Sequence, residues 1–168
     1  NRRVMKLSKN FSKAELCKSQ TATRMGLNNN PTDDQTENLR LLCERVLQPV
    51  RDHFNQVVSI SSGFRDPILS QKIGSSINSQ HCKGEAADLE IFGVANNELA
   101  DWIKENLMFD QLILEYHIPG EPNSGWVHVS YTKEINSNRK EYLMATKNAT
   151  GKTEYKQILG LSTDRYVK

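Results

Sequence analysis

The chain has 168 residues, 37% of them hydrophobic and 25% charged, enough apolar side chain for one globular core without disulfide or metal staples. That composition excludes collagen-like, coiled-coil and disordered chains, and 22 Lys and Arg against 20 Asp and Glu (net charge +2) argue against nucleic acid as the main partner. The apolar runs at 57–58 and 112–114 fall far below the roughly 20 residues that cross a bilayer, so no membrane span is expected. No leader is visible, and a first residue Asn1 rather than Met leaves the compartment open. Cys17, Cys43 and Cys82 are an odd set without C-x-x-C spacing, which suggests neither a disulfide framework nor a cysteine zinc site and fits a reducing compartment.

In chain order, Ser12 and Glu15 have the S-x-x-E spacing of a capping box and predict a short helix over about 12–19. The N-N-N-P run at 28–31 reads as a loop. Thr32 and Gln35 make a second capping box, and Leu39, Leu42, Cys43, Val46, Val50 and Phe54 recur at steps of three or four, an amphipathic helix that Pro49 is expected to kink. A strand follows at 57–61. Asp66 and Pro67 are an N-cap and first-turn pair for a helix over 67–73, ended by Gly74. Strands are predicted at 84–92, 111–116 and 126–131, with a helix capped by Asn96 or Asn97 and reaching about 107 between the first two. Beyond Asn136 the sequence is polar and weakly patterned, and its N-A-T sequon at 148–150 is a common chance match. The expectation is a single α+β domain over 1–168: a central, mainly antiparallel sheet with helices packed on one face. Its main body runs over about 7–139, and the polar extension from about 140 forms a sheet edge, a partner surface or a free arm.

Of the four histidines, His81 lies in S-Q-H-C-K-G-E-A-A-D (79–88) and His128 in G-W-V-H-V-S (125–130). Two histidines and a carboxylate are the donor set of a catalytic zinc site with one open position. Strand alternation puts Ala86, Asp88 and Glu90 on one face of their strand and Trp126, His128 and Ser130 on one face of theirs. If the strands are neighbours, Asp88 and His128 project together and His81 is delivered by the loop before Asp88. His53, at a helix end, is assigned to the helix dipole. Cys82, adjoining His81, is poorly placed to share a metal with it.

The pattern S-x-H-x-x-G-x-A-x-D followed by W-x-H resembles the signature of the zinc D-Ala-D-Ala carboxypeptidases and endopeptidases, the LAS metallopeptidases with the hedgehog/DD-peptidase fold. Ser79, His81, Gly84, Ala86 and Asp88 supply its first part, Trp126 and His128 its second. Further blocks are similar to the small phage and bacterial branch: L-S-K-N-F (7–11) with Glu15-Leu16, T-A-T-R (21–24), V-L-Q-P-V-R (46–51), S-S-G-F-R (61–65) and F-D-Q-L-I (109–113). The resemblance implies Zn²⁺ held by His81, Asp88 and His128, with Arg65 placed for the oxyanion or the substrate carboxylate. In many relatives a Glu lies three residues before the last histidine. Here that position is Gly125, and Glu115, which shares a strand face with Gln111 and Ile113, is taken as the general base, with His117 and Glu121 as competitors. Ser79, Gln80, Trp126 and Ser130 are the expected substrate-binding residues.

The function so implied is hydrolysis of peptide bonds in bacterial peptidoglycan by a monomeric zinc metallopeptidase whose partners are stem peptides. A phage lysin, made in the host cytoplasm or carried in the virion, fits the absence of a visible leader; a bacterial remodelling enzyme would work in the periplasm or cell wall. The alternatives are a non-catalytic peptidoglycan-binding or virion module that keeps the fold, and a zinc hydrolase acting on a non-wall dipeptide or amide.

Overall fold

A computed structural model describes residues 4–162, so the end of the C-terminal extension, 163–168, lies outside the described residues. Strands β1 (Lys6–Ser8) and β2 (Phe11–Ser12) pair antiparallel and lead into helix α1 (Lys13–Cys17). Ser12 caps α1 as its spacing predicts, its Oγ accepting from Glu15 N at 3.2 Å. The helix stops two residues short of the expected end because Ser19 caps a separate helix, α2 (Gln20–Met25). Helix α3 (Asp33–Leu42) opens with a reciprocal capping box: Thr32 N donates to Gln35 Oε1 at 2.8 Å and Gln35 N to Thr32 Oγ1 at 3.2 Å.

Pro49 does not end this rod. The chain passes through a π turn, Cys43–Leu47, into α4 (Gln48–Phe54), and Gln48 N reaches back five residues to Cys43 O. Proline lacks an N–H and its ring crowds the carbonyl four residues earlier; widening the preceding turn accommodates both.

Strand β3 (Val58–Ser62), helix α5 (Pro67–Lys72), a 3-10 turn (Gln80–Lys83), strand β4 (Ala86–Ile91), helix α6 (Asn96–Asn106), and strands β5 (Gln111–Glu115) and β6 (Trp126–Ser130) complete the expected set. Asp66 caps α5, accepting from Ile68 N at 2.9 Å. Asn96 and Asn97, in contrast, do not cap α6. Ala95 is the N-cap, without a side-chain bond, and Asn96 is buried in the first turn. Its Nδ2 donates to Glu90 Oε1 at 3.0 Å and to the carbonyls of Ser124 and Gly125 at 3.1 Å, so tertiary acceptors hold the side chain inside the first turn, away from a capping position. Two further strands, β7 (Glu141–Lys147) and β8 (Thr153–Gln157), come from the region with weak patterning. They extend the main sheet, so this part of the extension is a sheet edge.

The six-stranded sheet has the order β3-β4-β6-β5-β7-β8, and every pairing is antiparallel except β5 with β7. One face is the core. Ala87, Leu89, Leu112, Leu114, Val127 and Val129 pack there against Leu39, Leu42, Val46 and Val50 of the long rod and Leu99, Ala100 and Ile103 of α6. Burial of these side chains is the main term holding helices to sheet. No helix among the described residues is long and apolar enough to cross a membrane. Because side chains alternate along each strand, filling one face leaves Asp88, Glu115 and His128 on the other.

Candidate active site

Register places the first pair of candidate ligands. Asp88 on β4 and His128 on β6 are direct cross-strand partners, and His128 Nδ1 lies 3.0 Å from Asp88 Oδ1. His81 arrives on the 3-10 turn before β4, its Nε2 3.4 Å from the same oxygen. Ser79 caps that turn, accepting from His81 N at 3.2 Å, and Gly84 ends it at φ +75°. A Cβ on Gly84 would stand 2.4 Å from the Gln35 carbonyl oxygen, so only glycine lets the turn lie against α3. His81 Nδ1 is 2.7 Å from the Gly63 carbonyl. Since a carbonyl only accepts, Nδ1 carries a proton toward Gly63 and Nε2 is the ring nitrogen turned to Asp88.

Among the described residues, His81, Asp88 and His128 are the group whose ligand atoms all lie within 4.8 Å of one another. A tetrahedral ion with bonds of about 2.05 Å has ligand atoms about 3.3 Å apart, so spacings of 3.0 and 3.4 Å fit Zn²⁺. The donor chemistry fits too, with two imidazoles and a carboxylate drawn from water. Burial by itself pushes the Asp88 carboxyl up, but hydrogen bonds from His128 and His81 outweigh it and hold the group well below the usual carboxylate range. Asp88 therefore stays ionised.

The three residues stand in a cleft of about 450 Å³ that also takes in Arg65, Ser79, Gln80, Glu115 and Trp126. Arg65 follows β3, whose register shifts between Ile60 and Ser62 opposite Asp88, and its backbone N donates to His81 O at 3.1 Å. Its Nε is buried without a hydrogen-bond partner, leaving a donor for an occupant of the cleft. Burial and the nearby Asp88 charge push the Glu115 carboxyl above its ordinary value, against the opposing pull of His128, Trp126 and Arg65. Gln80 lines the cleft, yet its amide is committed elsewhere: Nε2 donates to Asp110 Oδ2 at 3.0 Å. Asp110 is itself clamped by Arg139 Nε at 2.9 Å and Nη2 at 3.0 Å.

Other candidates lie outside the cleft. Ser130 shares the face of His128 but is fully buried, its Oγ accepting from Gln111 N at 3.0 Å, so it serves the β5–β6 seam. His117 is buried with Nδ1 3.2 Å from the Ser124 carbonyl, and Glu121 is on the surface; neither lines the cleft. Cys82 Sγ turns to Ser76 O at 3.7 Å, and His53 stacks on Trp102 at 4.4 Å. Gly125 sits at φ +67°, where a Cβ would meet Glu115 O at 1.9 Å, so no glutamate can occupy that position. Asp110 lay within a recognised sequence block but without a role; Arg139 and Tyr155, the latter also lining the cleft, lacked any periodic signal.

A family model described as Peptidase M15 matches residues 9–130, which include Arg65, His81, Asp88, Glu115 and His128. No curated protein matches the chain. M15 peptidases are zinc-dependent, in keeping with the His-Asp-His cluster. With most of its length and the whole cluster inside the match, the chain belongs to the peptidase M15 family of metallopeptidases.

Proposed function

We propose that the protein is a zinc-dependent peptidase that hydrolyses peptide bonds of bacterial peptidoglycan, next to a D-amino acid of the stem or cross-link. The observation that carries this reading is one cleft holding the His81–Asp88–His128 cluster together with a carboxylate outside it, Glu115, and the cation Arg65. Zn²⁺ bound by the three ligands supplies Lewis acidity to the scissile carbonyl and to the attacking water.

Glu115 is the general base: it takes a proton from the water and returns it to the leaving amine. Arg65 offers its unpartnered Nε to the developing oxyanion or to a substrate carboxylate. Trp126 walls the cleft beside Glu115, its ring 5.4 Å from that of Tyr116. The case for a non-catalytic module rests on losing the base at position 125, and Glu115 in the same cleft supplies a substitute.

The test is mass spectrometry of purified peptidoglycan fragments incubated with the protein, with zinc or with chelator. New products that appear only with zinc, the masses of each pair summing to the parent plus one water, are expected, and they name the bond. No cleavage across wall chemotypes would refute the proposal.

A further inference from the structure

The family match ends at residue 130, but the cleft does not. Register draws one row of neighbours across four strands: Trp126 on β6 opposite Glu115 on β5, Glu115 beside Ala145 on β7, and Ala145 opposite Tyr155 on β8. Residues paired across strands project to the same face, so Tyr155 stands on the face that carries Glu115. Between them Ala145 contributes only a methyl group, and the Tyr155 ring lines the cleft with Glu115, Trp126 and Arg65.

Three features set Tyr155 apart from an ordinary edge-strand tyrosine. It is 57% exposed, so the core does not use its ring. Its hydroxyl makes no hydrogen bond among the described residues. Its strand is nonetheless held in place: Tyr116 Oη lies 2.6 Å from Thr153 Oγ1 and Tyr116 N donates to Ala145 O at 2.8 Å, tying β7 and β8 to the end of β5. Partial burial pushes its phenol up, and the Glu115 and Tyr116 side chains add to the push.

Strands lie about 4.8 Å apart, which puts Tyr155 two strands and about 10 Å from Glu115; an extended peptide covers that in about three residues of about 3.3 Å each. We propose that Tyr155 is a substrate-binding residue, its ring packing on the peptide and its Oη donating to a peptide carbonyl or carboxylate about three residues from the scissile bond, on the Glu115 side. This makes the enzyme selective for peptides long enough to reach β8. The inference rests on the peptidase reading above.

The test uses zinc-loaded full-length protein, its Tyr155→Phe and Tyr155→Ala variants, and a ladder of stem peptides from about two to about five residues. For the longest peptides Tyr155→Ala should lower kcat/KM about tenfold, mainly through KM, and Tyr155→Phe about threefold. For the shortest, both variants should match wild type within about twofold, which also shows that they fold. Equal losses on short and long peptides, or no loss on any, would overturn the proposal. Wild-type turnover separately tests the peptidase reading. Should wild type cleave nothing, calorimetric titration of the longest peptide decides: about tenfold weaker binding by Tyr155→Ala supports the role of Tyr155, while equal affinity or no binding to either protein overturns it.

Discussion

Replacing Gly125 by alanine tests how the chain positions Glu115, the proposed base. The added Cβ would lie 1.9 Å from Glu115 O, 2.7 Å from Tyr116 C and 2.8 Å from His117 N, all backbone atoms with no rotamer to yield. Nor can the loop retreat freely, because Asn96 Nδ2 holds the Gly125 carbonyl at 3.1 Å. Placing alanine at φ +67° costs about 1–2 kcal/mol, and overpacking against fixed neighbours costs about 1–3 kcal/mol more. In a domain of this size each kcal/mol lowers Tm by about 2–4 °C, so a fall of about 4–20 °C is expected. Thermal and urea unfolding of Gly125→Ala, followed by circular dichroism, measure it. Relief of the clash would move the end of β5, so turnover should drop further than zinc content does. By the same geometry, Gly125→Glu should not restore turnover to a Glu115→Gln protein. A Gly125→Ala protein within about 0.5 kcal/mol of wild type would refute the reasoning, since it would mean that the loop has room the structure does not show.

Glu115→Gln keeps shape while removing the base; turnover should fall by about 10²–10⁴-fold with zinc content by atomic absorption unchanged, and a normal kcat would remove Glu115 from the mechanism. Zinc at about a hundred times its Kd should stabilise the fold by about 2.7 kcal/mol, and Asp88→Ala should abolish that increment in a thermal-shift titration. Asp110 should govern acid stability. Burial raises its carboxyl, but the Arg139 bonds and the Gln80 amide lower it more, so the folded pKa lies below the unfolded one of about 3.9. Its stabilising contribution is then complete above that unfolded value and lost as pH falls through the folded one. Urea midpoints should therefore drop less on acidification for Asp110→Asn than for wild type, and parallel curves would count against this role.

Much of the fold was legible because local chemistry announced it. The Ser12 and Thr32 caps, the Asp66-Pro67 start of α5 and the three- and four-residue steps of the long rod each rest on contacts made within one turn of helix. The grouping of His81, Asp88 and His128 was legible for a similar reason. Alternation on β4 and β6 sets which face Asp88 and His128 occupy, and the spacing from His81 to Asp88 brings the loop ligand back over that face. Strands β7 and β8 left little trace. On β7 Tyr142 and Ala145 are the buried residues, and β8 is half-buried to exposed throughout, so neither strand shows a two-residue apolar period.

Where a partner is remote, local reading misassigned the residue. Asn96 looked like a cap, but acceptors on β4 and the loop before β6 take its amide. Ser130 alternates onto the ligand face, yet strand β5 covers it. Pro49 predicts a disturbance of the rod, and it takes the form of a π turn just ahead of the proline. The sequence by itself determined most of the elements up to β6, their apolar faces and the His-Asp-His donor set, since these follow from side-chain type and periods of two or a few residues. Tertiary structure decided strand order, and with it that Glu115 rather than His117 or Glu121 shares the cleft and that Tyr155 stands in its row, because the register between strands distant in sequence is set by packing across the whole sheet.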